Sequence, residues 1–306
     1  MVFNNANELI DSYLNKADFL HFTDVKLPLD EWVKVYNYSI ENSNNNPELY
    51  AIIANLYLYG LGVEVDYNLA KQYCGLGIEK GSINAIFTLG LMHYDGMGFP
   101  QSYENAVTYF TTASDKGLWR AQFKLAICYA VPRGVKLNHQ KAFDLYLKAA
   151  MSGYAFAEAN VGRYIYFSKV PYDNLSDCVK WFELAASKNV PSSMYYLGEC
   201  YLKGYYVEKN LEKAFDLFYK SAELNHTSSI LKVAEFYEKG MVVEQNYQIA
   251  YDYYHKCANI ENPDAILKVV DYRKNQCPHC KAYFTKTTIK TIFGEKTICS
   301  ACKKKY

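Results

Sequence analysis

The chain has 306 residues, half of them hydrophobic and 16% aromatic, so it can bury a large core. A net charge of +1 excludes a uniformly basic or acidic body, but the charge is uneven: residues 268–306 hold ten Lys/Arg against two acids, Asp271 and Glu295, a formal +8 that leaves the rest at −7. No 18-residue apolar run is present, which argues against a spanning helix or a membrane partner, and Met1 to Asn7 lack the basic start and apolar run of a signal peptide.

Apolar residues at helical spacing predict a helix over 7–20 (Leu9, Ile10, Tyr13, Leu14, Ala17) and a second near 30–41 (Trp32, Val35, Tyr36). The polar run Asn42–Asn46 ends the second, and Pro47 suits the first turn of the next helix. Six helix pairs follow. Their first helices are expected near 48–59, 83–95, 119–130, 155–167, 191–203 and 227–239. Their second helices are expected near 67–79, 103–116, 139–151, 175–187, 211–224 and 247–259. A seventh first helix fits 262–273, where Ile266-Leu267-Lys268-Val269 repeats Ile230-Leu231-Lys232-Val233 after 36 residues.

The same 36-residue period runs through four columns. One holds only small residues: Ala54, Gly90, Ala126, Gly162, Gly198, Ala234. An aliphatic residue always precedes it, from Ile53 to Val233. Two further small columns are Ala70, Ala106, Ala142, Cys178, Ala214, Ala250 and Ala85, Ala121, Ala157, Ser193, Ser229, Ala265. Small side chains let helix axes approach, and the 31 tyrosines read as rings filling the wider gaps. Asp66, Ser102, Asn138, Asn174, Asn210 and Asn246 form a column suited to capping the second helices. Gly81, Gly117, Gly153, Asn189, Asn225 and Glu261 form a column where those helices stop. A fixed period of this length implies stacked units that bury their apolar faces only against neighbours.

The pattern A-x3-L-G-x2-Y-x2-G-x-G-V, then a polar cap, then A-x3-W/F-x2-A-A-x2-G, resembles Sel-1-like repeats, relatives of the tetratricopeptide hairpins. Gly90 to Gly98 and Leu197 to Gly204 carry it most clearly; the fourth copy departs, with Ser168 and Val170 in place of the loop glycines and Pro171 after them. The expected fold is all-α: a right-handed α-solenoid superhelix, with a helical cap at 1–46, repeats over 47–273 and a separate module at 274–306. The resemblance implies that the first helices line a concave face that binds a protein or peptide. On this sequence the exposed columns would include Asn55, Leu91, Ile127, Arg163, Glu199 and Glu235, with Leu58, Tyr94 and Tyr166 beside them. That groove would be apolar early and acidic late.

Cys277-Pro278-His279-Cys280 and Cys299-Ser300-Ala301-Cys302 are two C-x2-C pairs separated by 18 residues. Such spacing reads as a four-thiolate site for one structural Zn²⁺, with no open position for catalysis. One pair alone would also fit a redox dithiol; two argue for the metal, with His279 a solvated side chain. The stretch Tyr283–Phe293 reads as a β-hairpin turning at Gly294-Glu295, so the module resembles a zinc ribbon. The other five cysteines (74, 128, 178, 200, 257) are scattered, which suggests buried thiols in a reducing, cytoplasmic or otherwise intracellular compartment.

No phosphate-binding loop, G-x-S-x-G or H-E-x-x-H motif occurs, and the six histidines are isolated. His93 falls in a column of tyrosines and reads as packing. The sequence therefore points to a non-enzymatic adaptor. The alternative is a nucleic-acid-associated factor whose basic ribbon contacts phosphates and bases while the repeats recruit protein.

Overall fold

A computed structural model describes residues 5–15, 22, 25–259, 262–276 and 283, and the backbone of 286–291 and 294–299. Fifteen helices occur among the described residues. The first two are α1 (Ala6–Asn15) and α2 (Leu29–Asn42). Then come α3 (Glu48–Tyr59), α4 (Tyr67–Glu79), α5 (Ile83–Asp95), α6 (Tyr103–Asp115), α7 (Trp119–Ala130), α8 (His139–Met151) and α9 (Ala155–Tyr166). They continue as α10 (Asp177–Ser187), α11 (Pro191–Lys203), α12 (Leu211–Glu223), α13 (Thr227–Lys239), α14 (Tyr247–Ala258) and α15 (Pro263–Lys274). Two strands follow, β1 (Lys286–Thr291) and β2 (Gly294–Cys299), paired antiparallel from Lys286↔Cys299 to Thr291↔Gly294. Gly294 and Glu295, expected to form the turn, instead open β2 and pair with Thr291 and Lys290; the two residues between the strands, 292–293, lie outside the described set. The helix expected over 7–20 ends its described course at Asn15.

The residues divide into two compact units, 1–172 and 173–306, and the division falls inside the fourth repeat, between α9 and α10. In the first unit the small column does what its chemistry suggests. A Cβ added to Gly90 would lie 2.8 Å from the ring of Phe110, the residue 20 positions later on the second helix of the same pair. Ala54 likewise shares a core with Cys74. The residues at that facing position, Cys74, Phe110 and Tyr146, are buried. Each large buried side chain of this kind contributes about 2–3 kcal/mol by leaving water.

Polar chemistry sets the helix ends. The side chain of Asn138 accepts from the Lys141 N–H at 2.9 Å, and Asp66 and Ser102 cap α4 and α6 in the same way. Gly81, Gly117 and Gly153 take positive φ beyond α4, α6 and α8.

In the second unit, Gly198 meets Phe218 as Gly90 meets Phe110, with 2.8 Å to a built Cβ. Asn210 and Asn246 cap α12 and α14, while Asn189 and Asn225 take φ of 60° and 61° beyond α10 and α12. The fourth repeat breaks the pattern. Asn174 does not cap α10, which begins only at Asp177; its side chain instead bonds those of Ser176 and Asp177. A turn at 174–177 has taken the place of the expected first helical turn. In the last repeats Tyr206 and Val242 occupy the second loop-glycine position at φ of 62° and 67°. Helix α15 buries Val269 and Tyr272, and Tyr283 stacks on Tyr251 at 5.0 Å. The outer side of α15 leaves Ile266, Leu267 and Val270 exposed.

Candidate protein-docking face

Tyr50, Ala54 and Tyr57 of α3 point toward α4, where Tyr50 and Tyr57 stack on Tyr73. At 100° per residue the opposite face of α3 carries Glu48, Ile52, Asn55 and Tyr59. The same offset gives Asn84, Thr88, Leu91 and Asp95 on α5, Arg120, Lys124 and Ile127 on α7, and Phe156, Asn160, Arg163 and Phe167 on and just past α9. On α3, α5 and α7 this is the face that their own second helices leave free.

The expected exposed columns divide on this face. Asn55 is buried and fully engaged: its amide donates to the Ala51 carbonyl at 2.7 Å and to Thr88 Oγ1 at 2.9 Å, tying α3 to α5. Leu91 is also buried, and Ile127 is half-buried. Arg163 is exposed. The second column needs correction, because it turns toward the second helices. Leu58 is buried with Ala70 and Cys74, and Tyr94 is buried edge-on against Tyr103 of α6, 5.1 Å between centroids. Arg133 donates to the Tyr94 hydroxyl, joining the third repeat to the second. Tyr166 is half-buried, with its ring 5.0 Å from that of Phe167.

The acidic stretch expected late in the array also needs correction, within the second unit. Glu199 is buried between Lys203 at 2.5 Å and Lys232 at 3.2 Å. Glu235, half-exposed, lies 3.9 Å from Lys232 and 3.7 Å from Lys239. Three lysines therefore answer two carboxylates. The hydrogen bond that Lys203 donates to Glu199 holds its ammonium above the usual lysine range. Their presence is legible in the sequence; their spacing at i+4 and at the next repeat is the signal that pairs them.

Residues outside the expected columns build the rest of the face. Glu48 accepts from Ser82 Oγ (2.7 Å) and from the N–H groups of Ile83 (3.0 Å) and Asn84 (3.1 Å), placing a carboxylate at the N-terminus of α5. The Asn84 side chain in turn accepts from Arg120, whose residue is only 2% exposed. Glu48, Asn84 and Arg120 recur at the 36-residue period, one helical turn before the column of Ile52. Farther along the same unit the face opens: Phe156 and Phe167 are 52% and 48% exposed, flanking Arg163.

The cysteine and histidine chemistry is that of packing. His93 is buried, stacked 4.2 Å from Phe99, and burial holds its pKa below the ordinary histidine value. The five repeat cysteines are buried and free, and burial pushes the Cys128 thiol up to about 11. Of the expected zinc ligands, Cys277, Cys280 and Cys302 lie outside the described residues, and Cys299 is described only as backbone, at the end of β2. Among the described residues no group of three or more His, Cys, Asp or Glu could hold a metal, and no helix is long and apolar enough to cross a membrane.

Comparison with known proteins gives this geometry a family. The Sel1 repeat profile matches six times, at residues 49–82, 83–118, 119–154, 155–190, 191–226 and 227–259. The chain is similar to the DAP3-binding cell death enhancer 1 of Rattus norvegicus, 33% identical over 158 residues that cover 51% of this chain and 31% of that protein. It is also similar to chitin synthase regulatory factor 3 of Schizosaccharomyces pombe, 28% identical over 205 residues, covering 62% of this chain and 22% of that protein. The match therefore spans less than a third of either relative's length. Among solved structures, c5321, a protective antigen of uropathogenic Escherichia coli with an SLR fold, superposes with a TM-score of 0.66 at 18% identity, covering 87% of this chain and 59% of that one. A Sel1 repeat protein from Oxalobacter formigenes gives 0.66 at 22% identity, covering 76% and 100%. Sel1 repeats generally mediate protein–protein interaction. With six consecutive matches over 49–259, the chain belongs to the Sel1-repeat proteins.

Proposed function

We propose that this protein is a non-enzymatic, intracellular adaptor that binds a protein segment on the free face of its first helices. The observation that carries the reading is the exposed set Phe156, Arg163 and Phe167 on one side of α9. Two aromatics and an arginine on a pre-formed helix are the composition of interface anchors, and rigid helical support lowers the ordering cost of binding. Buried, free thiols suit a reducing compartment. The test pans a library of displayed helical peptides against the full chain and against a Phe156→Ala/Arg163→Ala/Phe167→Ala variant. Selected peptides should lose at least tenfold in affinity on the variant; undiminished binding would refute this location.

In this reading residues 274–306 form a module in which Cys277, Cys280, Cys299 and Cys302 hold one structural Zn²⁺. Support comes from the two C-x2-C pairs, from the antiparallel bridge Gln276↔Tyr283 that flanks the first pair, and from Cys299 at the open end of the β1–β2 ladder. A segment this small needs a staple to fold. The purified chain should carry one zinc per molecule, and chelation should raise the titratable thiols by four without melting the repeats. A metal-free chain with an ordered 286–299 hairpin would overturn the assignment.

A further inference from the structure

Helix α1 is packed in an unexpected place. A helix that only capped the end of the array would touch α2 and the first pair. Instead, the Ala6 N–H donates to Glu31 of α2 at 2.8 Å, while the Tyr13 ring meets the Arg120 guanidinium of α7, 4.5 Å from its centroid. Ten residues at 1.5 Å each reach about 15 Å, enough to cross from α2 over the first helices. Leu9, Ile10 and Tyr13 share one core with Leu49, Ile52 and Leu56 of α3 and Ala85 of α5. The other side of α1 presents Asn7, Glu8 and Asp11 to solvent.

This packing accounts for a contrast along the free face. At the third repeat Arg120 is buried under α1; at the fourth, Phe156, Arg163 and Phe167 are open. The ten described residues of α1 are too few for a helix stable alone in water, so their order comes from the face they cover. Its contacts are those of helix-in-groove recognition: an aliphatic pair and an aromatic ring at i, i+1 and i+4. Burial pushes the Tyr13 phenol up to about 12, so the ring meets Arg120 as a neutral π-system.

We infer that α1 is an internal stand-in for a partner helix: the face formed by α3, α5 and α7 accepts an amphipathic helix with anchors spaced like Leu9, Ile10 and Tyr13, and a partner of that chemistry binds by displacing α1. This rests on the reading of the first-helix face as a docking surface.

The test uses the full chain with Leu9→Ala, Ile10→Ala and Tyr13→Ala, and a fluorescent synthetic peptide of residues 5–24 as the probe. Anisotropy should show saturable binding to the triple variant at least tenfold tighter than to the native chain. The peptide carrying Tyr13→Ala should bind at least fivefold more weakly. Equal or absent binding to both chains would overturn the inference, as would loss of the cooperative helical melt in the triple variant, which would make α1 part of the fold's foundation. Hydrogen exchange on the native chain gives an independent check: α1 amides should exchange at least tenfold faster than those of α5, and equal rates would overturn displacement. Failure here with continued loss of peptide binding in the α9 variant removes only the role of α1; unaltered binding in that variant removes the docking face itself.

Discussion

The small column makes a sharp prediction when Gly90→Ala is set against Gly75→Ala. Both glycines lie inside helices, where alanine is favoured by about 1 kcal/mol. Gly75 has nothing within 4 Å of a built Cβ, so its variant should be more stable by about that amount. At Gly90 the same methyl meets Phe110 Cδ1 and Cε1 at 2.8 Å and Tyr109 Cβ at 3.1 Å, where ordinary contact begins near 3.4 Å. The ring cannot swing aside: Phe110 is fully buried, with Phe87 5.6 Å away and Tyr94 5.9 Å away between centroids. Helix α6 must retreat, and overpacking of this kind costs about 1–3 kcal/mol. The gain in propensity is thus cancelled or exceeded, and the two variants should differ by about 1–3 kcal/mol. Urea unfolding followed by helical circular dichroism measures the midpoints. Exchange rates of α5 and α6 amides localise the effect if the array melts in stages. A Gly90→Ala chain stabilised as much as Gly75→Ala would refute the close-approach account of the repeat.

Three further outcomes follow from single sites. Val242→Gly should raise the thermal midpoint, gaining about 0.5–1 kcal/mol, because a β-branched residue is held at φ 67° where glycine rests without strain and little burial is lost. Asn138→Ala should cost about 1 kcal/mol through its lost cap on α8, whereas Asn174→Ala, which caps nothing, should stay within about 0.5 kcal/mol of the native chain. Glu199→Gln should flatten the alkaline limb of stability: the raised Lys203 pKa adds stability that is full below the ordinary lysine value, about 10.4, and is lost as pH climbs through the folded value. Denaturant midpoints of the native and variant chains should therefore converge as pH rises; a constant offset would argue against the pair.

Most of the array is legible in the sequence because the contacts that define each hairpin are local. Gly90 and Phe110 are 20 residues apart, and caps such as Asn138 act over three, so column, period and cap residue locate the helices within a residue or two. The fourth repeat shows the limit. Asn174 has the right chemistry and phase, yet the loop that contains Pro171 and no glycine turns differently, and α10 starts late.

Residues 48–259 by themselves determined a stack of helix pairs, the small residues at their closest approach, and the polar groups at their ends. Only the tertiary structure decided which part of the first-helix face is open. Tyr13 and Arg120 stand more than 100 positions apart, in helices whose own patterns say nothing of each other. Glu199, which read as part of an acidic surface, became a buried ion pair once the neighbouring repeat brought Lys232 beside it. Periodicity reports what a residue meets within its own hairpin; the exposure of the remaining face depends on what folds back across it.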